Sequence, residues 1–159
     1  MSWQGQTITV LRNLVNDTTE DSYTYTDERL EHSLLAAGFL LLRQVSFSQV
    51  YVVNVEACTI TPDPDEDYDF LALLTLRAAI LILSGELKTY ALQAISVSDG
   101  PSSINMTSIA SHIKSLLADA VKTYEEGKLA QQIGNGGYGE AILSPYGYSG
   151  YNFRQNFRD

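Results

Sequence analysis

Residues 67–92, DYDFLALLTLRAAILILSGELKTYAL, constrain the chain more than any other stretch. Leu, Ala and Ile fill the middle, and only Thr75 and Arg77 interrupt the apolar run from Phe70 to Leu83. Asp65, Glu66, Asp67 and Asp69 crowd the start, where carboxylates suit the positive end of a helix dipole. A helix that is apolar nearly all round is either covered by other helices or crosses a membrane. A crossing needs about 20 predominantly apolar residues. Here Arg77 falls inside the run, and Ser84, Gly85, Glu86 and Lys88 close it. The stretch therefore reads as the core helix of a bundle, with no membrane role.

A length of 159 residues suits one domain with one hydrophobic core. Only 18% of residues are charged, and the net charge is −9. Nucleic-acid binders show a basic footprint, so an acidic chain is poorly suited to gripping phosphates. The single cysteine, Cys58, has no partner for an internal disulfide, and no Cys/His spacing suggests a metal. The opening MSWQGQTITV lacks a signal-peptide pattern, which predicts a cytoplasmic origin. Charge is unevenly placed. Glu140 and Asp159 balance Arg154 and Arg158, so the whole −9 belongs to residues 1–133. Composition shifts at the same point, from helix formers to Gly and Tyr. The boundary near Gly134 predicts an acidic body over residues 1–133 and a neutral, extended arm over 134–159.

Within the body, Ile8, Leu11, Leu14 and Val15 predict a short helix over Thr7–Asn16, although Thr7–Val10 also alternates as a strand does. Asp17–Tyr25 is polar and turn-like. Thr26 is a good N-cap for a second helix, with Asp27 and Glu28 in its first turn. Its stripe is Leu30, Leu34, Ala37 and Leu41, widened by Phe39 and Leu42, ending near Arg43. Residues 47–61 switch to alternation and β-branched residues, predicting one strand or two with a break near Ala57. Pro62 and Pro64 end this stretch. After the core helix, Ile95–Ser98 and Ser103–Met106 alternate around Asp99-Gly100-Pro101, a hairpin-like pattern. A last helix, capped by Thr107 or Ser108, presents Ile109, Ile113, Leu116, Leu117, Ala120 and Tyr124 on one face. It runs to about Gln132 with Gly134 as its C-terminal cap. The fold class is mainly α, a bundle of three to four helices with a minor β element.

No catalytic constellation emerges. Asp63, Asp65, Asp67 and Asp69 alternate as in a calcium loop, but Tyr68 and Leu74 occupy the positions that need Gly and Glu. They read as a helix start. His32 and His112 sit on separate predicted helices and read as surface or boundary residues. Cys58 falls in a β-rich run, where a buried, inert thiol is expected. Gly134-Asn135-Gly136-Gly137 carries no lysine and precedes no helix, unlike a phosphate loop. The reading is a non-enzymatic protein with no cofactor and no metal.

The arm departs from this blandness. Tyr138, Tyr146, Tyr148, Tyr151, Phe153 and Phe157 punctuate a glycine-rich stretch, with Arg154 and Arg158 near its end. Disordered tails are normally poor in aromatics, whereas Tyr and Arg are enriched at the buried centres of interfaces. These eight residues predict an arm that docks on a partner, the competing readings being a sticky but idle tail and a segment that folds back on its own body.

The layout resembles the head-to-tail adaptor family of tailed bacteriophages, also called neck or connector proteins. The likeness rests on residues 11–17 (LRNLVND), on Tyr25-Thr26-Asp27 with Leu30, on the strand end Ile60-Thr61-Pro62, on the Ala-rich core helix, and on the Ile95–Met106 insert leading into Thr107–Tyr124. It covers roughly residues 7–130. The resemblance implies a helical bundle that assembles with copies of itself into a dodecameric ring beneath the portal protein, in the neck of the virion. The ring would extend the DNA channel, let DNA pass without specific binding, and offer a surface to a downstream neck or tail protein. It also implies a C-terminal extension that embraces the portal, a role that 134–159 fits by position. An acidic channel wall would repel the DNA backbone and let it slide. Competing readings are a stopper or terminator of the same neck, a small helical enzyme or regulator with an aromatic lid, and an acidic DNA mimic.

Overall fold

The computed structural model describes residues 2–96 and 106–134, and the side chains of 2–91 and 109–134. Its elements run α1 (Trp3–Leu14), a 3-10 turn (Glu20–Ser22), α2 (Asp27–Leu41), β1 (Val52–Asn54), β2 (Thr59–Thr61), α3 (Tyr68–Ser96) and α4 (Met106–Gly134). The fold is mainly α, with four helices and one small antiparallel sheet among the described residues.

α3 is the axis of the bundle, because α1, α2 and α4 all pack against it. Its Tyr68–Ala91 stretch is long and apolar enough to cross a membrane, a test that a buried core helix passes as well, and half of its most apolar window is buried inside the protein. Phe70, Leu73, Leu74, Ala78, Ala79 and Leu83 are buried on different sides of it. The two interruptions of its apolar run are accommodated locally. Thr75 is buried and donates its hydroxyl to the Leu71 carbonyl at 2.7 Å. Arg77 is half-buried, with its guanidinium 5.6 Å from the ring centroid of Tyr124 on α4.

α1 begins at Trp3, not Thr7, because the Trp3 indole is itself core, 4% exposed. That settles Thr7–Val10 as helix, and the Thr7 hydroxyl bonds back to the Trp3 carbonyl at 2.8 Å. The helix ends where Asn16 takes a left-handed φ of 58°. The Asn16 N–H then donates to the Asn13 carbonyl and the Asp17 N–H to the Arg12 carbonyl. This Schellman arrangement satisfies two end carbonyls and turns the chain back on itself. α2 starts as its sequence predicts, with the Thr26 hydroxyl accepting from the Arg29 N–H at 3.3 Å. Leu30, Leu34, Ala37 and Leu41 are buried, whereas Phe39 is 54% exposed and points away from the stripe it was expected to widen. One position beyond a buried glycine at 38, the helix has turned its next side chain outward.

The β region resolves into two strands, paired Val52↔Thr61, Val53↔Ile60 and Asn54↔Thr59. Val53 and Ile60 face the body while Val52, Asn54, Thr59 and Thr61 are exposed. In the turn, Asn54 Oδ1 accepts from the Ala57 N–H at 3.0 Å. Cys58 closes the turn with a φ of 51°, so it is a half-buried turn residue and not the buried strand thiol expected.

Of the predicted second hairpin, Ile95 and Ser96 belong to the end of α3 and Met106 opens α4, which corrects those three positions. Residues 97–105 lie outside the described residues. α4 buries Ile113 and Tyr124 and half-buries Leu116, Leu117 and Ala120, but Ile109 is exposed.

Candidate interaction surfaces

The arm residues Tyr138, Tyr146, Tyr148, Tyr151, Phe153, Arg154, Phe157 and Arg158 lie outside the described residues. The described body shows two polar networks and several exposed surfaces.

The first network centres on Arg12. The Asn16 turn brings Asp17 back beneath α1, so that Arg12 donates to Asp17 Oδ2 at 2.7 Å. The same guanidinium donates to the Tyr25 carbonyl at 3.0 Å and to Asp27 Oδ1 at 2.6 Å, and lies 3.7 Å from the Tyr23 ring centroid. Asp17 in turn accepts from the Thr24 and Tyr25 N–H groups. Arg12 and Asp17 are buried, and every contact is charge-assisted or ring-stacked, which is the condition under which a buried ion pair is tolerated. Sequence periodicity shows nothing of this, since Arg12 is one polar residue on an amphipathic helix. The network holds the polar 17–27 segment in one shape.

The second network starts α3. Asp67 caps the helix, with Oδ1 accepting from the Phe70 N–H at 3.0 Å. Its other oxygen accepts from the Tyr51 hydroxyl at 2.8 Å. The Tyr51 ring stacks on Phe70 at 4.2 Å, and Phe47 meets Phe70 edge-on at 5.1 Å. Burial first, and the Asp67 carboxylate second, push the Tyr51 hydroxyl well above the ordinary tyrosine range. The acids Asp63 and Asp67 thus work as turn and helix caps, with Asp63 Oδ1 accepting from the Asp65 N–H. Among the described residues no group of three or more His, Cys, Asp or Glu is arranged to hold a metal ion.

A concavity of about 790 Å³ runs between α2 and the later half of α3. It brings His32 together with Tyr25, Arg29, Glu86 and Tyr90, a grouping that sequence separation hides. The Tyr25 hydroxyl donates to the Glu86 carboxylate. Burial, and secondarily the charge of Asp17, raise the Glu86 carboxyl above the usual carboxylate range. His32 is exposed at the rim, and His112 is exposed on α4, away from it.

A second groove, about 560 Å³, lies between the first half of α3 and the last turns of α4. Ala72, Leu73, Leu76, Gly127, Ala130 and Gly134 line it. Its depth comes from Gly127, where an added Cβ would stand 3.0 Å from Leu73 Cδ2. The helical cost of that glycine, about 1 kcal/mol relative to alanine, is the cost of letting α3 and α4 approach here. Gly134, the last described residue before the arm, is part of this groove. On the hairpin, Val50, Val52 and Val55 are exposed together, at 83%, 63% and 47%.

Among the described residues the body therefore offers a groove of mixed lining between α2 and α3, a largely apolar groove between α3 and α4 that reaches Gly134, and exposed valines on the hairpin. Comparison with family models, with curated proteins and with solved structures found no match to this chain.

Proposed function

We propose that this protein is a structural, non-enzymatic adaptor of a bacteriophage neck. In this reading copies of the acidic body form a ring beneath the portal, and the arm of residues 134–159 docks on it. The observation that carries the reading is the order of elements: a short opening helix, a pinned polar loop, a capped second helix, a β element, a long buried helix and a last helix that hands over to the arm. That is the order the resemblance leads one to expect. The uneven charge supports it as well, since the −9 resides in the body and the arm is neutral. Uncharged surface such as the hairpin valines suits contact between like-charged copies, which must meet where repulsion is least.

The test is co-sedimentation with the portal protein. The full chain should bind, and a chain ending at Gly134 should stay folded by circular dichroism yet lose binding. Unaltered affinity after truncation would overturn the arm's role. A second reading, a small regulator or enzyme, is favoured by the His32–Glu86 groove between α2 and α3. It requires that His32→Ala abolish function without unfolding, an outcome the adaptor reading excludes.

A further inference from the structure

We propose that Asp65 and Arg77 are the two halves of an ion pair made between copies of this chain, the carboxylate of one copy meeting the guanidinium of another. The pairing rests on the reading that copies assemble, and it names where they touch. Among the described residues, Asp65 Oδ1 and Arg77 Nε are the buried side-chain atoms with no hydrogen-bond partner. One is an acidic oxygen and the other a cationic nitrogen. Both residues are half-buried, and their remaining polar atoms reach solvent with no hydrogen bond or ion pair to any described residue. Each side chain is held at its base and open at its tip. Buried polar atoms nearly always have partners, so each of these two needs one that its own copy does not supply.

The surroundings of each group are matched to the other. Arg12, the fully buried arginine, is met by Asp17, Asp27 and the Tyr25 carbonyl. Arg77 has only the Tyr124 ring, 5.6 Å away, and the Lys128 ammonium lies 5.8 Å from the same centroid. The nearby carboxylate of Glu125 is already paired with Lys128. The Arg77 fork is therefore an uncompensated cation on an acidic body. Asp65 lies in an open cleft of about 750 Å³ with Asp63, Glu66, Asp67 and Asp69, and no Lys, Arg or His lines it. Asp63 and Asp67 are engaged as turn and helix caps, whereas the Asp65 carboxylate is not engaged.

Within one copy the two groups cannot meet. α3 alone separates Tyr68 from Arg77 by roughly 14 Å along its axis. Between copies they can. Bodies that each carry the whole −9 repel overall, so approach is favoured where the cation of one enters the acidic cleft of the other. A planar guanidinium also grips a carboxylate through two parallel N–H donors, which fixes orientation as well as contact.

Sedimentation of the full chain over a concentration series tests this. The unaltered chain should self-associate. Asp65→Arg and Arg77→Asp should each weaken that association by about thirtyfold or more, with circular dichroism unchanged. An equal mixture of these two single variants should recover it, because each supplies the charge the other lacks. Combining both substitutions in one chain should recover it too. If Arg77→Asp does not fold, Arg77→Met removes the cation without adding a charge and should show the same loss. A chain that stays monomeric throughout would overturn the pairing. So would single variants that associate like the unaltered chain, or a mixture that recovers nothing. Growth that stops at two copies through this contact sinks the ring reading and keeps the pair. Association without portal binding sinks the portal reading alone.

Discussion

The Tyr124 hydroxyl donates to Gln44 Oε1 at 2.8 Å, joining α4 to the chain just past α2 across eighty positions of sequence. Tyr124 is 1% exposed, and its ring lies near the Arg77 guanidinium and the Lys128 ammonium. Burial raises its hydroxyl above the ordinary tyrosine range, against the pull of those two cations. Tyr124→Phe keeps the packing and loses one hydrogen bond to an exposed amide, a cost of about 1 kcal/mol. Tyr124→Ala leaves a cavity and should cost about 3–5 kcal/mol. Urea denaturation with unchanged slope is the measurement.

Arg12→Leu should be far more damaging than a surface charge change. Asp17 would keep its two backbone donors but lose its cation while buried, and such losses cost about 3–5 kcal/mol. By contrast, the exposed Lys122–Glu126 pair should contribute well under 1 kcal/mol. Thermal melts of Arg12→Leu and Lys122→Ala, side by side, make the comparison.

Two helical glycines should respond with opposite signs. Nothing lies within 4 Å of a Cβ added at Gly85, so Gly85→Ala should stabilise by about 0.5–1 kcal/mol. At Gly38 the same Cβ would stand 3.2 Å from Leu74 Cδ1 and 3.3 Å from Val53 Cγ2. Two walls must move, and overpacking of about 1–3 kcal/mol outweighs the helical gain. Gly38→Ala should lower the melting temperature and Gly85→Ala should raise it.

Glu86 links stability to pH. Its carboxyl is raised in the folded state, so folding favours the protonated form. That contribution is complete below the ordinary glutamate value near 4.5 and disappears as pH rises through the higher folded value. Glu86→Gln, which can still accept from Tyr25, should therefore be more stable than the unaltered chain at pH 7. The gap should close below pH 4.5, as a series of melts would show.

Much of this architecture is readable in the residues, and the exceptions share a cause. Thr26 announces α2 because an N-cap is a local device, and the break near Ala57 is visible because strand alternation is local too. The core helix is legible for the same reason. Arg12 is not, since its meaning depends on Asp17 and Asp27 converging after a left-handed Asn16. Tyr25 looks like a polar loop residue, and Tyr51 like one more residue of an alternating strand, until Asp67 at the start of α3 and Glu86 within it supply partners. Phe39 and Ile109 fail in the other direction, being apolar residues at helical spacing that are exposed among the described residues. The apolar groove was foreshadowed by Gly127 alone, a helix breaker retained inside a helix.

Because α3 touches each of the other three helices, none of them can peel away without stripping water-shy surface from the same rod. Such a molecule should lose its order all at once instead of piecemeal. In the adaptor reading proposed above, a part built that way would arrive at its assembly site whole or not at all, which would keep half-formed copies out of the ring.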